Sequence, residues 1–322
     1  MNHTPIAITC GEPAGIGPEI AAAAWQILRD DVPVFWIGDP DHVPNETPVA
    51  VITSPSEANA VCPSALPVLR HTFPGQRTPG QPKLSHAQSV IDVIKRAVAL
   101  AQTGAAGGIC TAPIHKKVLQ DGADFAWPGH TEYLAHLAGG VDVVMMLASE
   151  QLRVVPATIH IALAQVSKQL KPDLLRRTIQ ITAQGLQDQF GITAPRIAVA
   201  GLNPHAGEGG AMGKEELDWI APLVHEIAQT GVDLRGPMSA DTMFHAAARE
   251  TYDAAICMYH DQALIPIKTL DFDRGVNVTL GLPFVRTSPD HGTAFDIAGS
   301  GTANPSSMIE AIRMASRMAP TL

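Results

Sequence analysis

Three histidines, His160, His205 and His260, stand in or just after short apolar runs whose composition predicts buried strands. His205 lies in the glycine-rich segment 201–213, and His260 follows the apolar run 254–258. Three neutral imidazoles with an open fourth position form a ligand set of catalytic divalent metals, and nitrogen donors favour Zn²⁺ or Co²⁺ over Mg²⁺. The three residues are far apart in the sequence, so structural histidines remain the alternative, most of all for His160.

A second group of residues supplies two permanent positive charges and an amide: Lys268, Asn277 and Arg286. Ammonium and guanidinium groups bind phosphate oxygens through charge-assisted hydrogen bonds, so this group predicts a site for a phosphate monoester. Together with the histidines, it favours a metal-dependent site for a phosphorylated ligand over a set of scattered structural residues.

Two turns carry further candidates for binding an anion. The Pro-Gly turn at 128–129 presents His130 and Thr131 just before a predicted helix, and offers an imidazole, a hydroxyl and backbone N–H groups. His115 and Lys116 follow an apolar run, at the carboxyl end of a predicted strand, where ligands of α/β sheets bind. A solvated lysine at a helix start is an equally good interpretation of Lys116.

Length and composition limit the class of protein. The chain has 322 residues, of which 46% are hydrophobic and 16% charged, enough for two domains or one large α/β unit with an inserted lobe. The net charge of −9 speaks against a nucleic-acid-binding protein. Four widely spaced cysteines predict neither a disulfide framework nor a thiolate zinc site. With no membrane-spanning apolar run and no signal-peptide pattern, we expect a cytoplasmic protein.

Apolar periodicity predicts alternating strands and helices. The glycines at 11–20 fit a tight strand-to-helix turn, because the third glycine of a dinucleotide-binding fingerprint is missing. Residues 40–83, rich in Pro, Ser, Thr and Asn, are predicted to be irregular. A hairpin is expected with arms 143–148 and 152–163, which places His160 in its second arm. Helices are predicted at 85–103, at 172–190, from 214 with a kink at Pro222, and at 306–318.

Five motifs carry a resemblance to a known family over essentially the whole chain. They are Gly-Glu-Pro-Ala-Gly-Ile-Gly-Pro-Glu at 11–19, Pro-Gly-His-Thr-Glu at 128–132, Gly-Leu-Asn-Pro-His-Ala-Gly-Glu-Gly-Gly at 201–210, Met-Tyr-His-Asp-Gln at 258–262, and the segment 275–292. They resemble the PdxA family, the 4-hydroxythreonine-4-phosphate dehydrogenases of vitamin B6 biosynthesis. The resemblance implies that His160, His205 and His260 hold a divalent metal, with Zn²⁺ favoured and Co²⁺ or Mg²⁺ as alternatives. The substrate contacts that it implies come from His130, Thr131, Lys268, Asn277 and Arg286.

The segment 291–305 is similar to the cofactor loop of isocitrate and isopropylmalate dehydrogenases. This similarity implies their two-domain α/β fold, with the active site in the interdomain cleft, and NAD or NADP bound without a Rossmann fingerprint. It also implies a homodimer whose sites contain residues of both chains. The first domain, 1–125 with 285–322, would carry the cofactor; the second, 126–284, would carry the metal, the substrate and the dimer contacts. The implied cofactor-binding residues are Asp290, His291, Gly292, Thr293 and Ala294.

The resemblance implies oxidation of 4-phosphooxy-L-threonine at C3, followed by loss of CO₂ to give 3-amino-2-oxopropyl phosphate. Asp241 and Asp261 are candidates for orienting a ligand imidazole or for proton transfer, and His130 is a further acid–base candidate. For Asp261, a helix cap is the alternative. Competing functions are a dehydrogenase of phosphorylated four-carbon sugar acids, a metal-dependent hydrolase or aldolase, and a non-catalytic protein that binds a phosphorylated ligand.

Overall fold

The computed structural model describes residues 4–319. Its strands form where short apolar runs are bounded by turn residues, and most of the strand residues are buried. In chain order the strands are β1 (Ile6–Thr9), β2 (Val34–Gly38), β3 (Val49–Ile52), β4 (Leu66–Arg70), β5 (Gly108–Thr111), β6 (Val144–Ala148), β7 (Arg153–Pro156), β8 (Arg196–Ala200), β9 (Asp233–Met238), β10 (Ala254–Cys257), β11 (Val276–Leu280) and β12 (Arg286–Pro289).

The longer helices bury one face, because their apolar side chains recur at intervals of three and four residues. In the helix Pro172–Asp188, for example, Leu175, Ile179 and Leu186 are buried. In chain order the helices are α1 (Gly17–Leu28), α2 (Ala58–Val61), α3 (Ala87–Gln102), α4 (Lys116–Ala123), α5 (His130–Leu137), α6 (Val166–Gln169), α7 (Pro172–Asp188), α8 (Ala221–Ala228), α9 (Ala246–Arg249), α10 (His260–Asp271) and α11 (Ser306–Met318).

The chain forms two compact units, the first of which contains the described parts of Met1–Asp142 and Leu282–Leu322. Its strands follow the order β3-β4-β2-β1-β5-β12, and each neighbouring pair is parallel. α11 packs against β5 and β12. Because β1, β5 and β12 are adjacent and parallel, the loops that follow them lie at the same edge of this sheet.

The second unit is Val143–Gly281, with the strand order β11-β6-β7-β10-β8-β9. β7, β10, β8 and β9 are parallel to one another. β6 runs antiparallel to both β7 and β11, and it forms the predicted hairpin with β7. The carboxyl ends of the four parallel strands therefore lie at one edge, and the loops after them are brought side by side.

The α/β class predicted from the sequence is confirmed, and α11 has the predicted bounds Ser306–Met318. Two local predictions are wrong. The stretch 40–83 is not irregular, since the parallel strands β3 and β4 form there. The second hairpin arm ends at Pro156, so His160 lies in the loop after β7 rather than in a strand. The predicted kink at Pro222 coincides with a change from a π-helical turn, Glu216–Ile220, to α8.

The units meet in the chain at 142/143 and 281/282, whereas the sequence patterns place domain boundaries at 125/126 and 284/285. α5, which begins with His130 and Thr131, consequently belongs to the first unit. Within residues 4–319, no helix combines the length and the apolar character needed to cross a membrane.

α4 approaches the start of α3 closely at Gly122. A β-carbon at this position would lie 2.5 Å from the carbonyl oxygen of Leu84 and 2.8 Å from the β-carbon of Ala87. We expect Gly122→Ala to lower the free energy of unfolding by about 1–3 kcal/mol, because the clash outweighs the gain of about 1 kcal/mol in helix propensity. Urea denaturation measures this, with the exposed Gln120→Ala on the same helix as control. Equal or higher stability of Gly122→Ala would contradict the packing described.

Candidate active site

The three candidate metal ligands lie on loops at one edge of the second unit. His160 follows β7, His260 is the first residue of α10 directly after β10, and His205 follows β8. β10 lies between β7 and β8, and all three strands are parallel. The sheet thus brings together, at one edge, residues that are remote along the chain.

Two of these imidazoles are neighbours. The ring centroids of His160 and His260 are 5.7 Å apart. Two imidazoles bound to one Zn²⁺ ion would have a similar centroid separation of about 5 Å, given Zn–N bonds of roughly 2.0–2.1 Å. His260 Nδ1 lies 2.7 Å from a carboxylate oxygen of Asp261, which leaves Nε2 as the nitrogen for a ligand. The two histidines line a cavity of about 250 Å³ together with Tyr259, Asp261 and neighbouring apolar residues.

His205 is associated with a different acidic residue. Asp241 follows β9, the neighbour of β8, and its pKa lies below the ordinary value, chiefly because the hydroxyl of Ser239 donates a hydrogen bond to the carboxylate. The charge of His205 contributes in the same direction. The Asp241 carboxylate is therefore ionised at neutral pH and interacts electrostatically with His205, as a group that assists a ligand histidine would.

The three imidazoles are suitable ligands for a divalent metal. The spacing of one pair, His160 and His260, also suits a shared metal ion. Within residues 4–319 of a single chain, however, no group of three or more His, Cys, Asp or Glu residues is placed to hold a metal ion. The structure places the rings of His160 and His260 next to each other. His205 does not share this ring contact. The three imidazoles share an edge of the sheet without forming a finished coordination shell.

The loop that carries His205 has an unusual backbone. His205, Ala206 and Glu208 have φ angles of 51°, 52° and 43°, and Gly207 and Gly209 are also in the left-handed region. This conformation costs a residue with a β-carbon about 1–2 kcal/mol. Such strain persists only where surrounding contacts impose it, and it is concentrated at functional sites.

Asn203 and Glu216 supply those contacts. The backbone N–H of Asn203 donates to one carboxylate oxygen of the buried Glu216 at 2.7 Å, and its side-chain amide donates to the other at 2.9 Å. The same amide also donates to Glu215 at 2.8 Å. Glycine is needed at 213 because a β-carbon there would lie 2.2 Å from the Asn203 amide nitrogen. The loop is thus fixed to the π-helical turn before α8.

Sequence patterns assigned no role to Gln262, which joins two of the histidine-bearing segments. Its amide nitrogen donates to the carbonyl of Gly201 at 2.8 Å, and its oxygen accepts from the backbone N–H of Met258 at 2.7 Å. The hydroxyl of Thr158 donates to the carbonyl of Met258 at 2.7 Å. The one available signal was the position of Gln262 in the motif 258–262, in the first turn of α10.

In the first unit, a second polar group lies at the edge formed by β5 and β12. Arg286 is buried and donates to the hydroxyl of Thr111 at 2.7 Å. His130 and Thr131 begin α5, whose N-terminus has no side-chain cap. The Nε2 atom of His130 is inaccessible to solvent and has no hydrogen-bond partner in the described chain. Burial, then the charges of Arg286 and Lys116, hold the pKa of His130 well below its ordinary value of 6.5.

The candidate cofactor loop, 290–294, follows β12 at the same edge. The carbonyl of Thr293 accepts a hydrogen bond of 3.0 Å from the N–H of Ile16, so the loop packs on the glycine-rich turn after β1. Asp290 donates its N–H to the hydroxyl of Ser307 at 3.0 Å. His291 contacts the carbonyl of Gly292, and Ala294 has a left-handed backbone with φ of 43°. The five residues thus lie beside a strand-to-helix turn.

The remaining two candidate substrate contacts, Lys268 and Asn277, lie away from the histidine-bearing edge of the second unit. Lys268 is in the last turn of α10, about 12 Å along the helix axis from His260. Asn277 is aligned with Leu147 near the start of β11, and its buried side-chain oxygen has no partner within residues 4–319. Neither residue therefore joins the histidines within the unit.

Comparisons with known proteins identify the family of the chain. The family model described as pyridoxal phosphate biosynthetic protein PdxA matches residues 26–315. The 4-hydroxythreonine-4-phosphate dehydrogenase of Roseobacter denitrificans is 67% identical over 316 residues, which cover 98% of this chain and 97% of that protein. The crystal structure of the 4-hydroxythreonine-4-phosphate dehydrogenase of Klebsiella pneumoniae has a TM-score of 0.89 at 38% identity, over 98% of this chain and 100% of that one.

A more distant solved structure is the terephthalate 1,2-cis-dihydrodiol dehydrogenase of Burkholderia xenovorans, with 26% identity, a TM-score of 0.69 and 98% coverage of both chains. The relatives that share most of this sequence and its α/β fold are named dehydrogenases, which places the chain among the oxidoreductases. The chain belongs to the PdxA family of pyridoxal phosphate biosynthetic proteins.

Backbone strain in the His205 loop leads to a stability prediction. Ala206→Gly should raise the free energy of unfolding by about 0.5–1 kcal/mol, because glycine adopts the left-handed conformation without a steric penalty. The control is Ala211→Gly, at a right-handed position with φ of −71°, which should lower it by about 0.5–1 kcal/mol. Denaturant unfolding of both variants measures the difference. A loss of stability in Ala206→Gly as large as in the control would show that the loop is not strained.

The lowered pKa of His130 predicts a pH dependence of stability. Below about pH 6.5 the unfolded chain binds a proton at this imidazole while the folded chain does not, so stability falls as the pH decreases, with a slope of up to about 1.4 kcal/mol per pH unit. His130→Gln removes this contribution, and its unfolding free energy should decline less between about pH 7 and pH 5. Identical pH slopes for variant and wild type would mean that His130 titrates normally.

Proposed function

We propose that the protein oxidises 4-phosphooxy-L-threonine at its C3 hydroxyl with NAD⁺ or NADP⁺, and that the resulting 3-oxo acid loses CO₂ to give 3-amino-2-oxopropyl phosphate. The observation that carries this proposal is the 67% identity, over 98% of the chain, to the 4-hydroxythreonine-4-phosphate dehydrogenase of Roseobacter denitrificans. Histidines and carboxylates at the carboxyl edge of the second unit, and the cationic group of the first, support it.

His160, His205 and His260 would hold a divalent cation, Zn²⁺ by preference with Co²⁺ or Mg²⁺ as alternatives, which lowers the pKa of a hydroxyl group that binds it and stabilises developing oxyanions. Asp261 orients His260 through the hydrogen bond to Nδ1, which directs Nε2 outwards. Asp241 would act on His205 through its negative charge, and either carboxylate is a candidate for proton transfer. The nicotinamide cofactor would lie against residues 290–294 and accept the hydride.

The remaining residues would take part in proton transfer and in binding the substrate. The C3–H bond breaks with transfer of a hydride, the hydroxyl proton passes to a base, and C3 becomes a ketone. His130 is neutral at physiological pH, because burial and the charges of Arg286 and Lys116 hold its pKa low, and it is a candidate acid–base group for this step. The bond from C2 to the carboxylate then breaks, its electrons form an enolate, and protonation at C2 completes the product. Contacts to the phosphate from Arg286, Thr131, Lys268 and Asn277 would hold the substrate during both steps.

A homodimer with shared sites is part of the proposal. Large apolar side chains remain exposed on the segments that carry the histidines of the second unit, which supports a contact between two copies of the chain at this edge. Lys268 lies far from His260 along α10, which supports the same arrangement. A second copy of the chain would supply its own Lys268 to the histidines of the first. The exposed apolar residues near the histidines in the chain are Leu163, Met212 and Leu217, while Ile265 and Phe272 lie further along α10 and at its end.

Related dehydrogenases of other substrates are the main competitors. The structural relative from Burkholderia xenovorans is named for a dihydrodiol without a phosphate group, and phosphorylated four-carbon sugar acids share the phosphate with the proposed substrate. A metal-dependent hydrolase or aldolase would form product without reducing a nicotinamide. The buried Arg286 favours a phosphorylated substrate, since a buried guanidinium provides a site for an oxyanion.

Arg286→Ala should reduce kcat/KM for 4-phosphooxy-L-threonine by a factor that corresponds to about 2–5 kcal/mol. The assay follows reduced nicotinamide and released CO₂ with purified, metal-supplemented protein, and 4-hydroxy-L-threonine without phosphate is the control substrate. The loss should be confined to the phosphorylated substrate. Product formation without nicotinamide reduction would refute the dehydrogenase, and an unchanged kcat/KM would refute the role of Arg286.

A further inference from the structure

We propose that Lys116 binds the phosphate group of the substrate beside His130 and Arg286, and is a further specificity-determining residue. This proposal rests on the phosphorylated substrate inferred above. It names a residue that the sequence patterns left equally well explained as a solvated lysine.

The position of Lys116 follows from the fold of the first unit. It is the first residue of α4, just beyond the carboxyl end of β5. A β-carbon at Gly129 would lie 3.4 Å from Cε of Lys116, 3.6 Å from its Nζ and 3.4 Å from a carboxylate oxygen of Glu132. The ammonium group therefore stands next to the first turn of α5, where uncapped backbone N–H groups favour an anion.

The charges around this position are unbalanced. Lys116 and Arg286 both oppose protonation of His130, and Lys116 stands beside Gly129, the residue before that imidazole. Glu132, in the first turn of α5, is the acidic residue that acts on Arg286. Two fixed positive charges and one negative charge thus surround a neutral imidazole whose Nε2 atom has no partner in the described chain. A phosphate dianion matches this group better than a carboxylate, because it carries more charge and more acceptor oxygens.

Lys117, the next residue of α4, serves as a comparison for Lys116. Lys117 forms an ion pair with Asp121, one turn further on, at 2.6 Å. Lys116 forms no ion pair with any residue in the range 4–319. Lys117 is therefore a matched control: it has the same charge, lies on the same helix and already has an acidic partner.

The test is a titration of the full-length protein with inorganic phosphate, followed by NMR of ¹⁵N-labelled histidine. In wild type we expect the His130 resonance to shift saturably. Lys116→Ala should weaken phosphate binding about 10- to 100-fold, as for loss of a charge-assisted hydrogen bond, while Lys117→Ala stays within about twofold and Lys116→Arg retains most of the affinity. With 4-phosphooxy-L-threonine, Lys116→Ala should raise KM by a similar factor.

Phosphate binding by Lys116→Ala as tight as by wild type would overturn the proposal, and so would a wild-type His130 resonance that does not respond to phosphate. The titration requires no turnover. If wild type failed to oxidise the phosphorylated substrate while phosphate binding still depended on Lys116, the proposed reaction would fail and the anion site would stand.

Discussion

The hydrogen bonds of one side chain, Gln262, tie together the two segments after strands β8 and β10 on which the candidate metal site depends. By bonding to both Met258 and Gly201, it joins the end of β10 to the end of β8. A loss of this bridge would free the loops that carry His205 and His260 to move independently. The parallel order of the sheet brings the loops to one edge, but only such cross-links hold them at a defined spacing.

The same edge contains the most strained backbone of the second unit. The left-handed run around His205 costs several kcal/mol in total if each non-glycine residue contributes about 1–2 kcal/mol. The buried carboxylate of Glu216 compensates by accepting two hydrogen bonds from Asn203, one from its backbone and one from its side-chain amide, and glycines allow the close approach. This arrangement holds His205 rigidly. A rigid ligand residue loses less conformational entropy when it binds a metal or substrate.

Much of the fold could be predicted from the sequence, because buried strands and amphipathic helices follow from local apolar periodicity. α11 is an example, since its apolar face repeats without interruption. The apolar pattern does not predict β3, because this partly exposed edge strand has a weak apolar signal. His160 was placed in a strand because the apolar run continues beyond Pro156, although the ladder ends there. The roles of Gln262 and Glu216 depend on contacts between distant segments, which no local pattern encodes.

His160, His205 and His260 lie on loops at the same edge of the sheet, and a metal titration tests directly whether they bind one cation. Purified protein is titrated with Co²⁺, and the visible absorption reports the number and type of ligands. One saturable site per chain with nitrogen ligands is expected, and substitution of any of the three histidines by alanine should weaken binding by at least about 100-fold. Co²⁺ binding that is unchanged in His205→Ala would show that the three imidazoles do not serve one cation, and would contradict the metal site proposed for this family member.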